Sequence, residues 1–252
     1  MSKSNLSLGI IDWGIGGVSI YKLIKARLGD IPIIYFSDTG ATPYGKMSRR
    51  ELVVRLTIVI NLLKLNGVTH LVIGCNAAST AIPFLNISDI QIEGVIESAV
   101  ELTEKIKPAK LALIGGKRTV LSGIYRRKFA SRGIKLEQRI AQPLSALIES
   151  GDTSSPVLRE FVKKIISPLK NSSHLLLACT HYPAITTVLK DFISKETILI
   201  DPASELVDKI AKWDLPIGGK DIFYTTGDAE NMQNAANNAF NVKIEKVERI
   251  TI

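Results

Sequence analysis

His70-Leu71-Val72-Ile73-Gly74-Cys75-Asn76 is matched further along the chain by His174-Leu175-Leu176-Leu177-Ala178-Cys179-Thr180, and the offset 179 − 75 = 104 holds for every residue of the pair. Runs this apolar, with no polar alternation, read as strands buried on both faces. The residue ending such a strand lies at its carboxyl edge, where open α/β sheets place their ligand sites. The two phrases carry both of the chain's cysteines. Two similar halves would each present a thiol from an equivalent place. If the halves face one another across a cleft, the thiols flank whatever binds there. That arrangement suits moving a proton from one side of a carbon to the other.

Strand and helix patterns alternate on both sides of these phrases. Strands are expected over 8–11, 31–36, 69–74, 91–96, 111–114, 174–178, 197–200 and 221–225. Helices are expected over 17–28, 49–65, 77–85 with an interruption at Pro83, 125–130, 156–169, 184–194, 201–212 and 229–240. Alternation of this kind predicts mainly parallel sheets with helices on their faces. The expected fold class is α/β: two similar lobes related by pseudo-two-fold symmetry, with the active site in the cleft between them. The repeat sets a first lobe at 1–97 plus 206–252 and a second at 98–205, with no Ser/Gly-rich linker at the crossing.

Composition narrows the function classes. The chain has 252 residues, 46% hydrophobic and 22% charged, which is ordinary for a globular protein with a sizeable core. No apolar run approaches the ~18–20 residues of a membrane span. The opening, Met1 to Asn5, leads straight into a strand-like segment without a leader pattern, so a cytoplasmic location is the default expectation. The thiols are then expected to be reduced rather than bridged. The net charge of +8 invites a nucleic-acid reading, but the basic groups are short and only 6% of residues are aromatic. Bases would find few stacking platforms, and no nucleic-acid partner is expected. A basic surface equally draws in a small dianion.

Three motifs carry the chemistry. Asp12-Trp13-Gly14-Ile15-Gly16-Gly17 follows the first strand and precedes the first helix. Glycines at such a turn admit a ligand to backbone N–H groups, and Asp38 stands where a ribose contact would be in a dinucleotide fold. The spacing is G-x-G-G, not G-x-G-x-x-G, and a leading acid suits an acid–base group better than a pyrophosphate. Cys75-Asn76-Ala77-Ala78-Ser79 places a thiol at a strand end before a helix start, whose dipole favours thiolate. Taken alone, a buried cysteine is more often packing than chemistry. Cys179-Thr180-His181-Tyr182-Pro183 sets a histidine within reach of the second thiol. Each half offers one cysteine, and His70 and His174 sit at the opposite strand ends, so no metal site is expected.

Together these phrases resemble the cofactor-independent Asp/Glu racemase superfamily, in its glutamate-racemase branch. The resemblance spans nearly the whole chain. It includes Asp12-x-Gly14-x-Gly16-Gly17, Pro43-Tyr44-Gly45, Cys75-Asn76, Thr119 with Ser122-Gly123-x-Tyr125, Leu147-Ile148-Glu149, and Cys179 to Pro183. It implies a two-base racemisation in which one thiolate removes the α-proton and the opposite thiol returns one. By the resemblance, Asp12 assists Cys75, and His181 and Glu149 assist Cys179. Cys75 serves the D-face of the substrate and Cys179 the L-face. Tyr44, Gly45, Asn76, Thr119 and Thr180 bind the carboxylates and amino group. No cofactor is implied. The expected partners are a small dicarboxylic amino acid and a second copy of the chain, with no membrane.

Two positions depart from the branch, which usually carries Ser at Trp13 and Thr at Ala77, both bordering the substrate. Losing a hydroxyl that binds a carboxylate discriminates strongly between substrates. The expectation from these changes is a pocket reshaped for the shorter substrate, and hence an aspartate racemase. Glutamate, with supply of D-glutamate to the cell wall, is the alternative. Most aspartate racemases belong to another branch, which carries Glu in place of His181.

Overall fold

In a computed structural model describing residues 6–252, Ser7–Asp12 (β1) is buried at all six positions. The opening segment 1–5, expected to run straight into this strand, lies outside the described residues. After β1 come Val18–Leu28 (α1), Ile33–Ser37 (β2), Arg49–Leu65 (α2), Val68–Ile73 (β3), Asn76–Ser79 (α3), Gln91–Gly94 (β4) and Val95–Ile106 (α4). The chain continues through Leu111–Gly115 (β5), Lys117–Leu121 (α5), Ile124–Ala130 (α6), Leu136–Ile140 (β6), Gln142–Glu149 (α7), Pro156–Ile166 (α8) and His174–Ala178 (β7). It ends with Thr186–Lys190 (α9), Ile198–Ile200 (β8), Ala203–Ile210 (α10), Ile222–Thr225 (β9), Ala229–Phe240 (α11) and Glu248–Arg249 (β10).

These strands form two sheets, one ordered β10-β9-β2-β1-β3-β4 and the other β6-β5-β7-β8. All of their pairings are parallel. Dropping β10 and β9 leaves the same arrangement twice, with β1 standing for β5, β2 for β6, β3 for β7 and β4 for β8. The two-lobe α/β architecture expected from the repeated phrase is therefore present. β3 and β7, which carry the phrase, each lie beside the first strand of their sheet.

Each sheet is packed on both faces, which is why its strands lack polar alternation. On the first, Leu8, Ile10, Tyr35 and Val72 face one cluster, while Ile11, Ile34, Phe36, Leu71 and Ile73 face the other. On the second, Ala112, Ile114, Leu175 and Leu177 face one way and Leu111, Leu113, Leu176 and Ala178 the other. After β8 the chain returns to the first sheet: Leu206, Val207 and Ile210 of α10 join the cluster of Ile20 and Ile24, and β9 pairs with β2. Among the described residues no helix is long and apolar enough to cross a membrane.

Several elements differ from expectation. The strand expected over 91–96 ends at Gly94, and Val95 begins α4, whose buried Val95, Ile96, Ala99, Val100 and Thr103 follow helical spacing. Ala77–Leu85 divides into the single turn α3 and a 3₁₀ turn at Ile82–Phe84, because Pro83 cannot donate inside a continuing helix. Pro183 has the same effect after Cys179, where a 3₁₀ turn at Tyr182–Ile185 precedes α9. Helix α2 begins where its capping box requires: Glu51 N–H donates to Ser48 Oγ at 3.3 Å, and Ser48 N–H to Glu51 Oε2 at 2.6 Å.

Candidate active site

Asp12 ends β1 and Cys75 lies two residues beyond β3, on neighbouring strands of the first sheet. Cys179 directly follows β7 in the second. The two sheet edges face each other, and polar contacts cross between them. Thr180 Oγ1 donates to Asp12 Oδ2 at 2.9 Å, and Ile15 N–H to Glu149 Oε2 at 3.0 Å. Tyr125 Oη donates to Asn76 Oδ1 at 2.7 Å. A Cβ on Gly16 would lie 2.5 Å from Thr180 Oγ1 and 2.7 Å from His181 Nδ1, and one on Gly14 would fall inside the Glu149 carboxylate. The glycines of this turn thus let the first lobe's backbone press directly on second-lobe side chains.

That contact removes the nucleotide reading of the same turn. Gly14 N–H donates to Asp12 Oδ1 at 3.2 Å and Ile15 N–H to Glu149, so protein carboxylates occupy donors that a pyrophosphate would need. Asp38 is fully engaged as well. Its oxygens accept from Arg55 Nη2 at 2.6 Å, Arg55 Nε at 2.8 Å, Tyr44 Oη at 2.8 Å and Thr226 Oγ1 at 2.8 Å. Asp38 anchors the Tyr44 loop and has no capacity left for a ribose.

The second lobe builds a relay. His181 Nε2 lies 2.6 Å from Glu149 Oε2, and Nδ1 lies 3.6 Å from Cys179 Sγ. Burial works against the imidazolium, but Cys179 and then Glu149, one at each ring nitrogen, push His181 well above its ordinary pKa. The ring can therefore hold a proton between sulfur and carboxylate. Glu149 is the last residue of α7, where the helix dipole disfavours an acid by about 0.3–1 kcal/mol. Two charge-assisted bonds, from His181 and the Ile15 N–H, at about 1.5–3 kcal/mol each outweigh that cost.

The first lobe is arranged differently. Burial pushes the Cys75 thiol well up, the Asp12 carboxylate adds to this, and Cys179 adds further, so the two thiols feel each other's charge. The N–H groups of Ala78 and Ala77, at the start of α3, pull the other way. The helix start does favour thiolate as expected, but burial prevails. Burial also raises Asp12, with His181 and the Gly14 N–H opposing it. His70 and His174 lie away from the cleft: His70 stacks on Trp213 at 5.4 Å and His174 Nδ1 lies 3.0 Å from Ser173 Oγ.

Of the expected binding residues, Asn76 is buried, with its Nδ2 lacking a partner among the described residues, and Thr119 is buried within α5, the short helix that follows β5 in the second lobe. Gly45 lines the mouth of the cleft. Tyr44 is held inward by Asp38, and Thr180 is bonded to Asp12. Residue reading assigned no role to Tyr125, which orients Asn76, or to the Ile15 N–H. Tyr125 is the first residue of its turn to be fully buried with a polar tip, a signal that needs a partner but does not name one.

The Asp/Glu/hydantoin racemase family profile matches residues 8–210. The glutamate racemase of Carboxydothermus hydrogenoformans is 31% identical over 266 residues, covering 100% of this chain and 98% of that one. A solved glutamate racemase from Bacillus anthracis superposes with a TM-score of 0.89 at 23% identity, covering 99% of this chain and 98% of the other. One from Francisella tularensis, in complex with D-glutamate, gives 0.85 at 23%, covering 98% of each.

These findings overturn the expected aspartate racemase. The relatives are glutamate racemases, whereas a solved aspartate racemase from Picrophilus torridus gives a TM-score of 0.67 at 18% identity, covering 84% of this chain and 96% of that one. The structure supplies the physical reason the substitutions misled. Trp13 Nε1 donates to the Ala41 carbonyl at 3.1 Å, and its ring packs in the first lobe's own cluster with Tyr44, Cys75 and Ala77. A ring tied back to its own lobe does not measure the length of a substrate side chain.

Proposed function

The chain belongs to the Asp/Glu/hydantoin racemase family, and we propose that it is a glutamate racemase, interconverting L- and D-glutamate by two-base proton transfer at the α-carbon and supplying D-glutamate for cell-wall peptidoglycan. The observation that carries this reading is the Glu149–His181–Cys179 relay facing Cys75 and Asp12 across one cleft. With L-glutamate, the Cys179 sulfur takes the α-proton, and Cys75, kept protonated by burial, delivers its own to the opposite face. With D-glutamate the roles exchange. His181 steadies the charge that comes and goes on Cys179, and Glu149 holds the ring in place.

The carbanion-like state needs donors at the substrate carboxylate. The unpartnered Asn76 Nδ2, aimed by the bond from Tyr125, supports that role, with Tyr44, Gly45, Thr119 and Thr180 completing the site. The lobes that enclose it are 1–97 plus 206–252 and 98–205, a division supported by the return of α10 and β9 to the first sheet.

The test is α-proton exchange in D₂O, followed by NMR, with each enantiomer of glutamate and aspartate and no added cofactor. Exchange and inversion of both glutamate enantiomers are expected. An enzyme inert towards glutamate would refute the reading.

A further inference from the structure

We propose, resting on the glutamate-racemase reading, that Tyr35 is a positioning residue: from the first lobe's core its hydroxyl holds the peptide group that fixes Glu149 in the second lobe's relay. Tyr35 lies in β2, outside the motifs that carry the chemistry, on a strand buried at all five positions. Its side chain is completely buried, on the face shared with Leu8, Ile10 and Val72. A phenol in such a place needs a partner for its hydroxyl. The Phe223 ring of β9 packs beside it, with centroids 5.8 Å apart. The Tyr35 ring reaches the Asp12–Gly17 turn, where a Cβ on Gly17 would lie 3.0 Å from Oη and 3.2 Å from Cε2. Glycine there leaves the hydroxyl its path to the turn.

Tyr35 Oη donates to the Gly14 carbonyl at 2.7 Å. That carbonyl and the Ile15 N–H are the two ends of one planar peptide group. The N–H end donates to Glu149 Oε2 at 3.0 Å, and His181 Nε2 lies 2.6 Å from the same oxygen. His181 Nδ1 in turn lies 3.6 Å from Cys179 Sγ. A single line of hydrogen-bonded groups thus runs from the first lobe's core, across the lobe boundary, to the second lobe's sulfur. Bonds in such a line polarise one another, by roughly 10–30% per bond. A tyrosine that only filled space would be served by any carbonyl. This one takes the carbonyl whose peptide holds Glu149.

Burial, then the Asp12, Glu149 and Cys75 charges, push the phenol well above its ordinary pKa, against the Gly17 backbone. Tyr35 therefore remains a donor at neutral pH and above. The bond to Asp12 comes from a different peptide, through the Gly14 N–H. The hold of Tyr35 is thus directed to the Cys179 side of the cleft.

The test is the amide NMR spectrum of the full chain without substrate, comparing the parent with Tyr35→Phe and with Tyr35→3-fluorotyrosine, whose hydroxyl is the stronger donor. The Ile15 amide proton should move upfield in the first and downfield in the second. In Tyr35→Phe it should also exchange with D₂O about tenfold faster or more. The Asp38 amide, bonded to the Asp12 carbonyl at 3.1 Å on the same sheet edge, should keep its parent rate to within about twofold. Racemisation supplies the second readout. Tyr35→Phe should lower kcat about tenfold with KM little changed. Adding it to Glu149→Gln should cost less than about twofold more, because it acts through that carboxylate. An unmoved Ile15 signal, a general speeding of exchange that includes Asp38, an unchanged kcat, or a full second loss in the double variant would overturn the proposal. Inactivity of the parent towards glutamate would instead refute the proposed function, and the Ile15 signal would still decide whether Tyr35 holds the Glu149 peptide.

Discussion

The edges of β3 and β7 begin from the same phrase and end in different chemistry. After β7 the cysteine follows at once, and a chain turned by Pro183 brings His181 against the sulfur. After β3, Gly74 intervenes, and the Cys75 thiol meets the backbone N–H groups of the single turn α3 and the Asp12 carboxylate of β1, with no imidazole against the sulfur among the described residues. Repetition of the fold places two sulfurs on opposite sides of one cleft. The neighbours, which do not repeat, decide where protons rest. Positional symmetry and chemical symmetry are separate properties, and a racemase needs only the first.

The comparison can be broken most severely at the sulfurs. Cys75→Ala or Cys179→Ala should each lower racemisation by on the order of 10³, because one face then lacks its proton carrier. A polarimetric assay with either enantiomer would show it. Next comes the relay. Glu149→Gln removes the carboxylate partner of His181 and should cost about 10–10² in kcat/KM. The enantiomers have equal energy, so kcat/KM must fall equally in both directions in any variant. The inequality of the thiols appears instead in primary isotope effects. With Glu149→Gln, the effect for α-deuterated L-glutamate should rise relative to that for the D-enantiomer.

The pH dependence sharpens the same contrast. Cys75 is raised in the folded protein, so its thiolate stays scarce until the pH passes that raised value. The kcat for D-glutamate, which uses Cys75 as base, should therefore climb into the alkaline range. A profile already flat at neutral pH would contradict the burial argument. The smallest effect is expected from Tyr125→Phe, which frees the Asn76 amide at a cost of about 1 kcal/mol, or roughly fivefold, seen mainly in KM.

Much of this was readable in the sequence, for reasons that particular elements make clear. Helices α2 and α11 and strand β7 were expected with the boundaries they have, because each has a strong period or a continuous apolar run between clear stops. Strand β6 was missed: Leu136–Ile140 is a half-exposed edge strand with Glu137, Gln138 and Arg139 in its middle. Helix α7 was missed although Pro143 marks its start, since eight residues give only two turns of pattern. Helix α4 was missed as well, its first residues falling inside the strand expected over 91–96 because Val95 and Ile96 suit either state. At the site, the sulfurs and His181 came from motif spacing, and Glu149 only from the family resemblance, because a lone acid at a helix end reads as surface. The Asp38 network did not, because Thr226 joins it from 188 residues away and only the return of β9 brings the two together. The Trp13 error has the same origin: its partner, the Ala41 carbonyl, is a backbone group that sequence cannot single out.

The central claim is that each sulfur serves one face, and exchange without inversion tests it most directly. In D₂O, the Cys75→Ala variant should wash deuterium into the α-position of L-glutamate, through Cys179, while leaving D-glutamate protiated and forming no D-enantiomer. The Cys179→Ala variant should do the reverse. Equal exchange of both enantiomers by either single variant would contradict the assignment of one sulfur to each face.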